Sequence, residues 1–200
     1  MRPTLLALPA LLLFGCANPR TTSSPLGLGA LPVVAAPAFQ GPLGPEWSTA
    51  KGTWTPADGI LRMTELPAEK HVAVLHHVVP LPTAVIELDF KQAQAGAFYV
   101  GCDSTRHIGR VVVLGGAVVI QEDSGKTSRT VAKLDYTAKP GEWHHLRVEW
   151  SGDEMACVID GRELRARDPY FATAKRRSWL AGARSAEIRD LTIAGRKPGE

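Results

Sequence analysis

From Trp47 onward the chain runs in short apolar-rich stretches separated by Gly, Pro, Asp and Ser, the rhythm of an all-β protein. Two runs alternate with period two. Ile86, Leu88 and Phe90 oppose Glu87, Asp89 and Lys91, while Leu146, Val148 and Trp150 oppose Arg147 and Glu149, so each run has one buried and one wet face. Strands are predicted at Gly59 to Leu66, His71 to Val79, Thr83 to Lys91, Ala97 to Asp103, Gly109 to Leu114, Ala117 to Glu122, Trp143 to Ser151, Met155 to Asp160 and Glu187 to Ala194. Strands at this density imply a β-sandwich. Ser151-Gly152-Asp153 and Asp160-Gly161 supply the positive-φ positions of hairpins and make Trp143 to Leu164 a meander. One short helix of at most two turns is expected at Tyr170 to Lys175, where Asp168 caps and Pro169 opens the first turn.

The pattern changes toward the amino terminus. Residues 17–45 are dominated by Pro, Gly, Ala, Ser and Thr, without charge between Arg20 and Glu46, and read as a tether reaching from about 30 Å as a coil to about 90 Å as polyproline II. Leu31 to Ala36 is apolar between prolines and has the alternative of packing as an edge strand. The expected division is therefore 1–15 as a signal segment, 16–45 as tether, 46–196 as one sandwich domain and 197–200 as a tail. The 23 basic and 20 acidic residues are interspersed, which argues against a nucleic-acid partner. Lys175-Arg176-Arg177, the one basic cluster, reads as a solvated turn, with phosphate or headgroup contact as the alternative.

Behind Met1 and Arg2, Leu5 to Phe14 forms a short apolar run, about half the roughly 20 residues needed to span a bilayer. It ends in Leu13-Phe14-Gly15-Cys16, which resembles a bacterial lipobox. The resemblance implies cleavage before Cys16, acylation of its sulfur and new amino terminus, and a membrane-anchored, extracytoplasmic protein. Ala17 and Asn18 follow without the aspartate linked to inner-membrane retention, so in a double-membraned host the outer membrane is expected. Cys102 and Cys157 remain, and they either form one disulfide or lie as buried free thiols.

A second resemblance lies in Lys139-Pro140-Gly141-Glu142-Trp143-His144, Gly152-Asp153-Glu154-Met155 and Val158-Ile159-Asp160-Gly161. Supporting pieces are Trp54 with Asp58-Gly59-Ile60-Leu61, Asp168-Pro169 with Lys175, and Ile188-Arg189-Asp190-Leu191. Together, over roughly Trp47 to Ala194, they resemble the concanavalin A-like, laminin-G-like sandwiches of bacterial lipoproteins, especially the 3-keto-disaccharide hydrolase family. That resemblance implies a two-sheet antiparallel jelly roll, concanavalin A-like, with carbohydrate on its concave face. The Asn-Ser-Gly segment of enzyme-like members is missing near Ala95-Gly96-Ala97-Phe98, so no hydrolase mechanism is carried over.

Sandwich glucanases of that superfamily place three carboxylates two apart on one strand face, because a retaining glycosidase needs a nucleophile and an acid. Glu87-Leu88-Asp89-Phe90-Lys91 nearly matches, but Lys91 occupies the acid's position. Glu87 and Asp89 are thus weak catalytic candidates and better candidates to bond sugar hydroxyls. Arg147 and Glu149 share their outward parity on the neighbouring run, and Tyr99 opposes the inward Phe98, Val100 and Cys102. These five residues form the predicted ligand set. Trp54, Trp143 and Trp150 read as structural, whereas Trp47 and Trp179 are freer to stack on a sugar, with core packing as the leading alternative for both.

No metal site is predicted, since adjacent histidines (His76-His77, His144-His145) point to opposite strand faces. The laminin-G resemblance implies calcium at Asp103 and Asp123 as an alternative to ordinary turn roles for both residues, and no other cofactor is implied. Gly125-Lys126-Thr127 lacks the upstream glycine of a phosphate loop and reads as a hairpin turn. Three functional classes follow: a noncatalytic module binding polysaccharide, disaccharide or another envelope partner, which leads; a disaccharide or glycoside hydrolase using Glu87 or Asp89 as base; and a structural envelope spacer.

Overall fold

A computed structural model describes residues 23–124 and 127–199. The signal segment and Cys16 lie outside the described residues, as do Gly125 and Lys126. Among the described residues no helix is long and apolar enough to cross a membrane. The strands are β1 (Val33–Ala35), β2 (Trp47–Lys51), β3 (Thr53–Ala57), β4 (Ile60–Thr64), β5 (Ala73–His77), β6 (Thr83–Gln92), β7 (Phe98–Asp103), β8 (His107–Val113), β9 (Ala117–Glu122), β10 (Arg129–Asp135), β11 (His144–Ser151), β12 (Glu154–Ile159), β13 (Arg162–Arg167), β14 (Arg177–Gly182) and β15 (Ser185–Arg196).

They form two antiparallel sheets. Sheet A runs β13-β12-β11-β6-β15-β4-β3, with β1 also on β15, and sheet B runs β10-β9-β8-β7-β14-β5-β2. Period-two alternation turns Ile86, Leu88 and Phe90 of β6 and Leu146, Val148 and Trp150 of β11 into the space between the sheets, where Phe98, Val100 and Cys102 of β7 meet them. Phe90 and Phe98 stack across the gap, 4.6 Å between centroids and 2° from parallel, and each fully buried ring contributes about 1.5–3 kcal/mol by leaving water. Trp150 is buried with its indole N–H donated to the Leu81 carbonyl (2.9 Å), so its one polar atom is satisfied in the core.

All nine predicted strands form, and six more accompany them. Four of the additions, β2, β3, β10 and β13, are the outer strands of the two sheets. An edge strand is solvated along one side, so Arg162–Arg167 can be charge-rich and Thr53–Ala57 can carry Pro56. The fifth, β14, is central but begins at Arg177 and ends in small residues; a Cβ at Gly182 would sit 2.3 Å from Met63 Cε. The sixth, β1, is the edge-strand alternative for Leu31 to Ala36. It takes part of the expected tether into sheet A, and Phe39 beyond it is buried as well.

The expected helix is shorter than predicted. Only a 3-10 turn forms at Pro169–Ala172, capped by Asp168, whose carboxylate accepts from the Tyr170 N–H (2.8 Å). Lys175 departs from it because its ammonium group turns inward to the Phe171 carbonyl and is only 5% exposed, while Arg177 opens β14. The basic cluster is therefore not a solvated turn.

The β12–β13 hairpin turns at Asp160 (φ 44°) and Gly161 (φ 80°). The Asp160 carboxylate accepts from the His145 N–H (2.8 Å) and the Tyr136 hydroxyl (2.6 Å) and meets His144 Nδ1 at 2.8 Å. His144 Nε2 donates to the Lys139 carbonyl (3.1 Å), so one aspartate pins the connection that leads from β10 into β11.

Candidate functional site

The outward surface of sheet A carries four of the five predicted ligand residues. Register places Arg147 opposite Glu87 and His145 opposite Asp89 across β11 and β6, with Arg189 of β15 opposite Asp89 on the other side. The result is a ladder of alternating charge. Arg147 donates to Glu87 (2.8 Å) and Glu149 (2.7 Å), His145 bridges Asp89 (2.9 Å) and Glu87 (3.0 Å), and Arg189 reaches Asp89 (3.2 Å). Hydrogen bonds donated to Asp89 and then Glu87 raise the His145 imidazole to about 9, so it stays protonated at neutral pH. Lys91 pairs with Glu187 (2.6 Å), and both Lys91 and Arg189 lie over the Trp143 ring (4.9 and 4.1 Å).

This ladder leaves little for acid–base catalysis. Asp89 is 2% exposed and Glu149 is 0% exposed, and each is held by cations. The two catalytic candidates sit in like environments, Glu87 paired with Arg147 and His145 and Asp89 with His145 and Arg189, whereas a nucleophile and an acid need contrasting ones. Residues 24–31 also cross this surface, and the Leu26 N–H donates to Glu149 (2.9 Å).

Tyr99, the fifth predicted residue, is on the other sheet. It lies on the outward surface of sheet B among Val112, Ala117 and Val119, so the predicted set does not converge on one site. Its ring lies 6.4 Å from Trp179, and the Arg110 guanidinium lies 5.8 Å from it. Trp179 sits directly over Gly101, where a Cβ would come within 2.4 Å of the indole. The indole N–H donates to Asp103 (2.7 Å), which also meets His107 Nδ1 (2.8 Å) and accepts from Arg177 (3.0 Å). Burial pushes the Asp103 carboxyl up, but bonds from His107, Trp179 and Arg177 outweigh it and hold it below the usual range. The bond to Asp103 raises His107, while burial foremost lowers His76, which stands opposite Trp179 on β5.

Arg110 is equally fixed, donating to Gln121 (3.0 Å) and Ser128 and pairing with Asp123 (3.1 Å). Asp103 and Asp123 are therefore engaged with protein cations. Among the described residues no cluster of three His, Cys, Asp or Glu side chains suits a metal ion. The sequence pointed to Tyr99 by parity; it missed Arg110, Arg177 and His76, because only the order of strands in sheet B gathers them.

Trp47, the other candidate stacking residue, joins Trp54 in lining a cleft of about 400 Å³ at the open edge between the sheets. Cys102 and Cys157 are buried free thiols on opposite sheets, so the disulfide alternative is not realised.

No family model and no curated protein matches the sequence. Solved structures do match. SCLam, a non-specific endo-beta-1,3(4)-glucanase from family GH16, is similar with a TM-score of 0.60 at 12% identity, covering 84% of this chain and 94% of that one. The carbohydrate-binding module CBM66 from Bacillus subtilis gives 0.54 at 14% identity, over 76% of this chain and 92% of the module. The exoplasmic/lumenal domain of VIP36, in a Ca2+/Man3GlcNAc-bound form, gives 0.53 at 12%, over 80% and 87%. At such identities the likeness is one of fold. The protein is an all-β, two-sheet antiparallel jelly-roll sandwich of the concanavalin A-like kind.

Proposed function

We propose that this protein is a noncatalytic glycan-binding module, anchored through Cys16 at the bacterial envelope and, in a double-membraned host, at the outer membrane. The observation that carries the binding reading is the half-buried Tyr99 ring on the outward surface of sheet B, with Arg110 held beside it by Gln121 and Asp123; Trp179, only 5% exposed, backs that ring and presents no face of its own. Aromatic rings offer a surface to the C–H face of a sugar, and pinned polar groups meet hydroxyls without losing much side-chain freedom on binding. The carbohydrate-binding neighbours of the same fold support this reading. Sheet A supports it less, because its charges already bond one another and part of the chain lies across them.

A glycan array followed by calorimetry tests the proposal. Tyr99→Ala weakens binding about tenfold with an unchanged melting temperature, an aromatic contact being worth about 1 kcal/mol or slightly more. Absence of binding to every polysaccharide at millimolar ligand removes the sugar reading and favours the spacer. Radiolabelled palmitate tests the anchor: Cys16→Ala abolishes labelling and releases the protein from the membrane fraction.

A further inference from the structure

At the end of β7 away from Tyr99, sheet B buries one acid beneath two cations. The Asp103 side chain is 0% exposed, and its carboxylate accepts from Arg177 Nε and Nη2 (3.1 and 3.0 Å) and meets His107 Nδ1 (2.8 Å). The cations lie outside it, His107 58% exposed and Arg177 34%. One carboxylate cannot neutralise both once His107 is protonated, a form the bond to Asp103 favours. Arg177 Nη1 and His107 Nε2 have no partner among the described residues, so each held side chain keeps a donor for something outside the protein. Two more cations stand beside this pair. The Arg176 N–H donates to the Asp103 carbonyl (2.7 Å), and Arg106 lies in the turn from β7 into β8, its carbonyl accepting from the Ser104 N–H (2.9 Å). Both side chains are exposed, and neither has a partner among the described residues. Arg129, also 58% exposed, is held in the same way by the nearly buried Glu122 and Asp168. With its acids inside and its cations outside, this corner shows positive charge to solvent.

We infer that Arg106, His107, Arg176 and Arg177 form an oxyanion site at this end of sheet B, and that the ligand of the sheet is an acidic glycan carrying carboxylate or phosphate groups, a step that rests on the Tyr99 reading for the sugar ring. Guanidinium N–H groups match the paired oxygens of carboxylate and phosphate. The donors left on Arg177 and His107 serve such a group without breaking their bonds to Asp103, and Arg106 and Arg176 have no bond to break. Tyr99 and Asp103 share outward parity on β7 four residues apart, a span of roughly 13 Å. Trp179 bridges that span, its ring centre 6.4 Å from Tyr99 and 5.6 Å from His107, and Arg110, matched by Asp123, flanks it. A chain of sugar rings lying along β7 therefore covers Tyr99 with one ring and brings the acidic group of a later ring to the cations. An anionic lipid headgroup shares the charge but has no ring to place on Tyr99.

Calorimetry on the full chain compares polygalacturonate with its fully methyl-esterified form, and phosphomannan with unphosphorylated mannan, pairs that keep the rings and remove the charge. At least one acidic polymer binds about tenfold or more tightly than its uncharged counterpart, and the preference shrinks as salt screens the exposed cations. The double variant Arg106→Gln/Arg176→Gln, which disturbs no bond within the protein, weakens acidic binding about tenfold at low salt and leaves the melting temperature and any neutral binding unchanged. Tyr99→Ala weakens charged and uncharged forms alike. Equal binding of both forms, untouched by the double variant, overturns the oxyanion site and leaves the Tyr99 reading standing. Acidic binding that the double variant weakens and Tyr99→Ala spares supports the oxyanion site and overturns the Tyr99 reading. Binding to none of the four polymers overturns both, and phosphatidylglycerol vesicles bound in their place, through Arg106 and Arg176, make the corner a membrane contact instead.

Discussion

His145 is the group whose charge should tie the stability of sheet A most visibly to pH. It bridges Asp89 and Glu87 and is raised from 6.5 to about 9. The folded protein therefore holds this proton more tightly than the unfolded chain, and its contribution is full below 6.5, falls as pH rises from there, and is gone above about 9. The gap corresponds to about 3 kcal/mol at most. Glu87 is 25% exposed and the ring itself 18%, so solvent screening reduces the usable part to about 1–2 kcal/mol. Urea denaturation of the wild type and of His145→Gln, from about pH 6 to about pH 10, isolates this contribution, because every other ionisable group is common to both proteins. The wild type should lose about 1–2 kcal/mol more than the variant over that interval. Parallel pH curves, or an NMR titration placing His145 near 6.5, would refute the account of the ladder.

Gly101→Ala should destabilise the protein by about 1–3 kcal/mol and shift the fluorescence of Trp179, since the added methyl overlaps the indole and comes within 3.0 Å of Gly109 O. Asp160→Ala should cost about 1–3 kcal/mol and speed proteolysis between Tyr136 and His144, because it strips partners from Tyr136, His144 and the His145 amide at once. Asp103 is held below the usual carboxylate range, so its contribution is full above that range, declines as pH falls from there and is gone once pH is below its lowered folded-state value; Asp103→Asn should flatten the acid limb of the stability curve. Cys102 and Cys157 are buried and pushed up to about 12, so peptide-mapped alkylation should find both only after denaturation and neither in a disulfide.

Where the sequence carried a strong local signal, it was enough. The alternation in Thr83 to Lys91 and Trp143 to Ser151, the Asp160-Gly161 turn and the Asp168 cap could each be read without neighbours, because side-chain parity and positive φ are properties of a few residues. The edge strands β10 and β13 escaped because an edge position does not demand an apolar face. β14 escaped because its small residues make sense only beside Met63 and Phe98.

The candidate sites divide in the same way. Parity alone put Glu87, Asp89, Arg147 and Glu149 on one surface, and β6 and β11 do bring them into a single ladder. Parity could not say that Tyr99 faces outward from the opposite sheet, because which strand joins which sheet is a long-range choice made by the whole core. The sequence by itself determined an all-β chain, its main strands, their inward faces and the tight turns, all set by local stereochemistry and by the burial of alternate side chains. Only the tertiary structure decided that residues 24–35 fold back over the charged ladder instead of hanging free, and that Trp179 finds its place over Gly101. Both depend on contacts between residues far apart in the chain, whose partners exist only once the sheets have closed.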